Sequence, residues 1–133
     1  MLKRKIKGVQ YLWVFVCMLS IFGCTKDTTV VIDNSPAITA TVSFKKTLIP
    51  IFTANCSGSS CHSGSVAPNL SEATAYNALI TGNYLTVTTP AKSELYLWLT
   101  GKKSAAMPLG AKNNPSNLNA LTLAWITQGA KNN

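Results

Sequence analysis

Two thiols and the chain's only imidazole fall within seven residues, in the stretch Cys56-Ser57-Gly58-Ser59-Ser60-Cys61-His62. In a Cys-x-x-Cys-His run each thiol adds across one haem vinyl group and the following His ligates the iron, which is the chemistry of c-type haem attachment. Here four residues separate the cysteines instead of two. Ser-Gly-Ser-Ser is small and flexible, so a spacer that bulges away still brings both sulfurs to the porphyrin edge. His62 alone would read as an ordinary surface or core histidine, and its adjacency to Cys61 is what marks it as an iron ligand. Six-coordinate iron needs a second axial ligand, and Met107 supplies a thioether, which favours reduced iron and raises the potential. Pro108 restrains Met107 toward an extended backbone. The alternatives are a Met107 that fills a gap in the core and a plain disulfide between Cys56 and Cys61. The grouping of the three site types favours haem over both.

The beginning of the chain says where this chemistry takes place. Lys3, Arg4, Lys5 and Lys7 precede an apolar run from Val9 to Phe22, interrupted by Gln10 and Ser20. This is the pattern of a signal peptide, and the run is shorter than the ~20 apolar residues of a membrane span. It ends in Leu19-Ser20-Ile21-Phe22-Gly23-Cys24, which resembles a bacterial lipobox, with Cys24 as the lipid anchor. The expected division is therefore a signal peptide over 1–23, a lipidated Cys and flexible tether over 24–42, and a haem domain over 43–133. The product is an exported, membrane-anchored lipoprotein on the periplasmic side or the cell surface. Cys17 leaves with the signal and Cys24 takes lipid, so Cys56 and Cys61 are the remaining pair. In an oxidising compartment they form either a disulfide or two thioethers.

Charge and composition remove several classes of function. After cleavage eight basic residues face four acidic ones, Asp27, Asp33, Glu72 and Glu94, a net charge near +4 with no Lys/Arg run. Two haem propionates would lower it to about +2, so the basic pI does not argue for nucleic acid. A closed zinc site wants four N or S ligands, and Cys56, Cys61 and His62 are only three. A thioredoxin-like pair wants Cys-x-x-Cys on a βαβ frame, and neither is present. Glu72 and Glu94 are too isolated to form a paired-carboxylate site.

Four short helices are expected to position the site. Ser43 is placed to cap the first, with Phe44, Leu48, Ile51 and Phe52 at helical spacing, Pro50 dividing or kinking it, and Cys56 just beyond. A polar loop to Asn69 leads to a second helix over 71–81, with Tyr76, Leu79 and Ile80 on its apolar face and Gly82 as its C-cap. Val87–Thr89 reads as a short extended segment. Pro90 and Ser93 open a third helix through Thr100, with Leu95, Trp98 and Leu99 at helical spacing and Gly101 as its stop. A loop over 102–115 carries Met107. The last helix runs from its cap Ser116 to Gln128, with Leu118, Leu121, Trp125 and Ile126 on one face and Gly129 after it. Trp98 and Trp125 read as core or haem-packing residues. The domain is thus mostly α, and its small apolar core leaves room for a porphyrin as packing partner.

Four segments in this order resemble the small cytochrome c lipoproteins of the Bacteroidetes type, which are related to planctomycete cytochrome c domains. Leu48-Ile49-Pro50-Ile51-Phe52-Thr53-Ala54-Asn55-Cys56 is similar to the helix entering the haem motif, which Cys61-His62-Ser63-Gly64 closes. Pro90-Ala91-Lys92-Ser93-Glu94-Leu95-Tyr96 resembles the segment before a helix packing near the haem. Ala106-Met107-Pro108 and Leu123-Ala124-Trp125-Ile126-Thr127-Gln128-Gly129-Ala130 resemble the distal-ligand loop and terminal helix. The resemblance covers about residues 43 to 130 and implies a cytochrome c-like fold around one covalent haem c. It also implies a break in the first helix at Pro50. The expected function is electron transfer to or from a redox protein partner, without catalysis. Two other classes stay open, a peroxidase-like haem enzyme and a haem-free, disulfide-bonded lipoprotein module.

Overall fold

A computed structural model describes residues 37–103, 106–109 and 117–133. The expectations for the signal at 1–23, for Cys24 and for Ser116 fall outside these residues. Among the described residues there are four α-helices and no strand, so the chain is mostly α. They are α1 (Ile49–Asn55), α2 (Ala75–Thr81), α3 (Glu94–Leu99) and α4 (Leu118–Thr127), with a π-helical turn at Phe44–Leu48 before α1 and a 3-10 turn at Pro90–Lys92 before α3. None is long and apolar enough to cross a membrane.

Pro50 does not break the first helix. It widens the turn before it. Pro50 lacks an N–H, and its ring crowds the carbonyl four residues back. Adding one residue to the preceding turn relieves that crowding, and the Leu48 N–H accordingly reaches the Ser43 carbonyl at 3.3 Å while the Ile49 N–H reaches Phe44. The amides at the start of a helix have no partner inside it, and here each is satisfied. Ser43 Oγ accepts from the Lys46 N–H at 3.1 Å, as its position predicts. The C-terminal residue supplies the others: Asn133 Oδ1 accepts from the Phe44 N–H (3.0 Å) and the Asn133 carbonyl from the Lys45 N–H (2.9 Å). Gln128 adds a two-sided tie, accepting from the Val42 N–H and donating to the Ala40 carbonyl, so the chain entering the domain lies against α4.

The core is aromatic where these ends meet. The rings of Phe44 and Trp125 stack at 4.8 Å, and Tyr76 and Phe52 meet Phe44 edge-on at 5.5 and 6.2 Å. The polar ends of these rings are also satisfied, with Trp125 Nε1 donating to the Lys131 carbonyl and Tyr76 Oη to that of Ala130. Leu48, Leu79, Leu118 and Ile126 complete the dry interior, and Cys56 lies at its margin.

Several local expectations are corrected. The second helix starts at Ala75, because Ser71–Thr74 forms a turn that ends in the Ser71 carbonyl accepting from the Thr74 and Ala75 amides. Ala75 and Leu79 face inward there, while Ile80 is 44 % exposed. Gly82 caps that helix, but Asn83 at φ 56° makes the left-handed turn. Gly82 is needed for space instead, since a Cβ there would stand 2.4 Å from the Tyr84 ring. Val87–Thr89 is a turn closed by the Thr89 N–H on the Thr86 carbonyl. Ser93 is extended and buried, and its Oγ accepts from the Thr86 N–H at 2.8 Å rather than capping α3. The last helix starts at Leu118 after Asn117 in the left-handed region.

Candidate functional site

The Cys-His segment is built onto the end of α1. Cys56 terminates that helix with its N–H on the Phe52 carbonyl at 2.8 Å, and the Ser57 N–H shares the same acceptor at 3.1 Å. Ser and Gly follow, and neither favours continuing a helix. The spacer turns back on itself: the Cys61 N–H reaches the Gly58 carbonyl (2.8 Å), and the His62 N–H returns to the Cys56 carbonyl (3.0 Å). The four spacer residues are thus looped out, and the backbone of His62 is brought beside that of Cys56. The serines are not merely flexible filler. Ser63 Oγ donates to the Gly58 carbonyl (2.9 Å) and Ser65 Oγ to that of Ser59 (3.0 Å), which staples the bulge to the loop that follows.

His62 is half-buried and its Nδ1 lies 3.1 Å from the Pro68 carbonyl. A carbonyl can only accept, so Nδ1 carries the proton and the lone pair resides on Nε2. An imidazole that is to ligate a metal through Nε2 is held in this way, with its other nitrogen bonded to a backbone carbonyl that fixes tautomer and ring plane. Pro68 was not legible as a site residue, because its part is played by a main-chain oxygen and any residue type could offer one. The loop is closed beyond it by the Leu70 N–H on the His62 carbonyl (2.6 Å) and by Ser57 Oγ on the Leu70 carbonyl (3.1 Å).

The two cysteines differ in surroundings. Cys56 is 9 % exposed, and Cys61 lies open on the surface. Both carry free thiols. Burial, and then the neighbouring Cys61, push the Cys56 thiol up from 9.0 to about 11. A reactive redox or nucleophilic cysteine needs the opposite shift, so Cys56 is not built as the attacking thiolate. Among the described residues no three His, Cys, Asp or Glu side chains converge as a group that could hold a metal ion unaided.

Met107 is held by a different part of the chain. Its N–H donates to the Trp98 carbonyl at 3.1 Å, and its half-buried side chain packs against the core. The peptide bonds before Pro68 and Pro108 are both cis. Beside Met107, Leu109 is 70 % exposed, and Val66 in the Cys-His loop is 48 % exposed. Two thiols, an imidazole and a thioether are the donor types that a covalent haem takes. No family model matches this chain, and no curated protein or solved structure matches it either.

Proposed function

We propose that this chain is a membrane-anchored electron carrier, a cytochrome c-like protein with one covalent haem c bound through Cys56 and Cys61. His62 and Met107 are its axial ligands, Cys24 carries the lipid, and a redox protein is the partner. The observation that carries this reading is the His62 imidazole, which follows Cys61 directly and has its Nδ1 proton engaged by Pro68, leaving Nε2 as the ligating atom. When bound, the haem supplies one-electron iron chemistry at a potential set by its axial ligands.

The chain's own residues do the rest. Pro68 holds the ring plane of His62, and the Cys56 carbonyl fixes the His62 backbone. The stapled spacer keeps residues 57–60 out of the way, and Trp98 anchors Met107.

The test is expression of the full chain with cytochrome c maturation machinery, followed by a pyridine haemochrome spectrum and an intact mass. The expected result is one covalent haem, with the spectrum reporting one or two reacted vinyls. His62→Ala should abolish the low-spin spectrum, and Met107→Ala should keep the haem and lower its potential. Colourless protein with Cys56 and Cys61 bonded to each other would establish the haem-free module instead. High-spin iron with peroxide turnover would establish the peroxidase-like enzyme.

A further inference from the structure

The segment that presents Met107 is tied to one acid. α3 is only six residues long, and Glu94 is its first. Oε1 of Glu94 accepts from Trp98 Nε1 at 2.9 Å, one helical turn on, and Oε2 meets Lys103 Nζ at 2.9 Å. The helix ends in a Schellman turn, in which the Lys102 N–H reaches the Leu97 carbonyl and the Gly101 N–H that of Trp98. Gly101 sits at φ +70°, and a Cβ on it would lie 3.3 Å from that of Ala106, so the returning chain passes directly over the turn. The same Trp98 carbonyl then accepts from the Met107 N–H. The loop therefore leaves through Lys103 and returns through Met107, and both arms are bonded to the Glu94–Trp98 pair.

We propose that Glu94 is a positioning residue for Met107, clamping the outgoing arm of the loop through Lys103 and, through the Trp98 indole, fixing the end of α3 whose Trp98 main-chain carbonyl receives the returning arm. This deepens the haem reading by naming what fixes the distal ligand, and it rests on that reading for its functional consequence. A carboxylate that takes both bonds at once fixes the helix end and the outgoing arm together. Bonds to an ionised partner are the stronger kind, and both are 2.9 Å long.

The experiment measures amide hydrogen exchange in the full chain prepared without and with maturation machinery. Glu94→Ala should quicken exchange at the Met107 amide by about five- to tenfold. The Tyr84 amide, which closes the equivalent turn after α2 on the Leu79 carbonyl, should be unmoved. Glu94→Gln keeps an acceptor for Trp98 and loses the ion pair, so it should give a smaller, about twofold, effect that salt mimics in the wild-type chain. In the haem-loaded chain Glu94→Ala should move the midpoint potential toward that of Met107→Ala with His62 ligation retained. Equal acceleration at Met107 and Tyr84 would mean a general loss of stability and overturn the clamp, as would no change at Met107. A colourless chain whose Met107 amide still depends on Glu94 would sink the haem reading and leave the clamp standing.

Discussion

The aromatic end of the domain and the Cys-His loop are held together by opposite means. At the first, Phe44, Phe52, Tyr76 and Trp125 bury one another, and Asn133 and Gln128 satisfy the few exposed amides. At the second, apolar burial is slight, and main-chain bonds with serine hydroxyls set the shape of residues 56–70. The difference separates stability from function. The dry packing of the domain is concentrated at the aromatic end, and the loop's shape rests on its own main-chain bonds.

The largest way to break this comparison is Trp125→Ala. It removes a fully buried ring, its stack on Phe44 and its bond to Lys131, and should cost about 3–5 kcal/mol in denaturant unfolding. By contrast, His62→Ala gives up one half-buried hydrogen bond, so the haem-free chain should lose about 1 kcal/mol or less. Equal losses from the two substitutions would show that the loop is part of the stabilising core.

A middle-sized effect comes from pH. The thiol of Cys56 has a raised pKa in the folded chain, so the folded state holds this proton more tightly than the unfolded state. Stability from this group is therefore complete below about pH 9 and is lost as pH rises toward 11, by on the order of 1–2 kcal/mol with allowance for screening. Comparing the haem-free chain with Cys56→Ala isolates this contribution. A thioether at Cys56 removes it as well, so this contribution should vanish on haem attachment.

The smallest effect sharpens the comparison at the loop. Ser65→Ala deletes an exposed neutral hydrogen bond and should change global stability by no more than about 0.5 kcal/mol. It should nonetheless speed exchange of the His62 amide, because the staple holds the bulge that this amide closes. No local change there would mean that the backbone alone shapes the spacer.

Much of the architecture was legible in one dimension. The spacing of Phe44, Leu48 and Phe52, the cap at Ser43, and the stops at Gly101 and Gly129 are local properties, and they lie where periodicity and capping place them. The misreadings share a cause. Ser93 does open α3, but its hydroxyl goes to the half-buried Thr86 amide and not to the helix. Ile80 has helical spacing with Tyr76, but the neighbouring elements cover the Ala75–Leu79 side instead. Pro50 signalled a disturbance without saying whether the helix would end or widen.

The residue types and their order established the chemistry available here: two thiols and an imidazole in one loop, a thioether in another, and helical patterns to carry them. Tertiary structure alone decided that the imidazole would turn its Nδ1 proton to Pro68, that Asn133 would cap the first helix, and that Glu94 would take both the Trp98 indole and Lys103. The physical reason is that a side chain's donors and acceptors are written in its identity, whereas their partners depend on which distant backbone groups folding leaves unsatisfied.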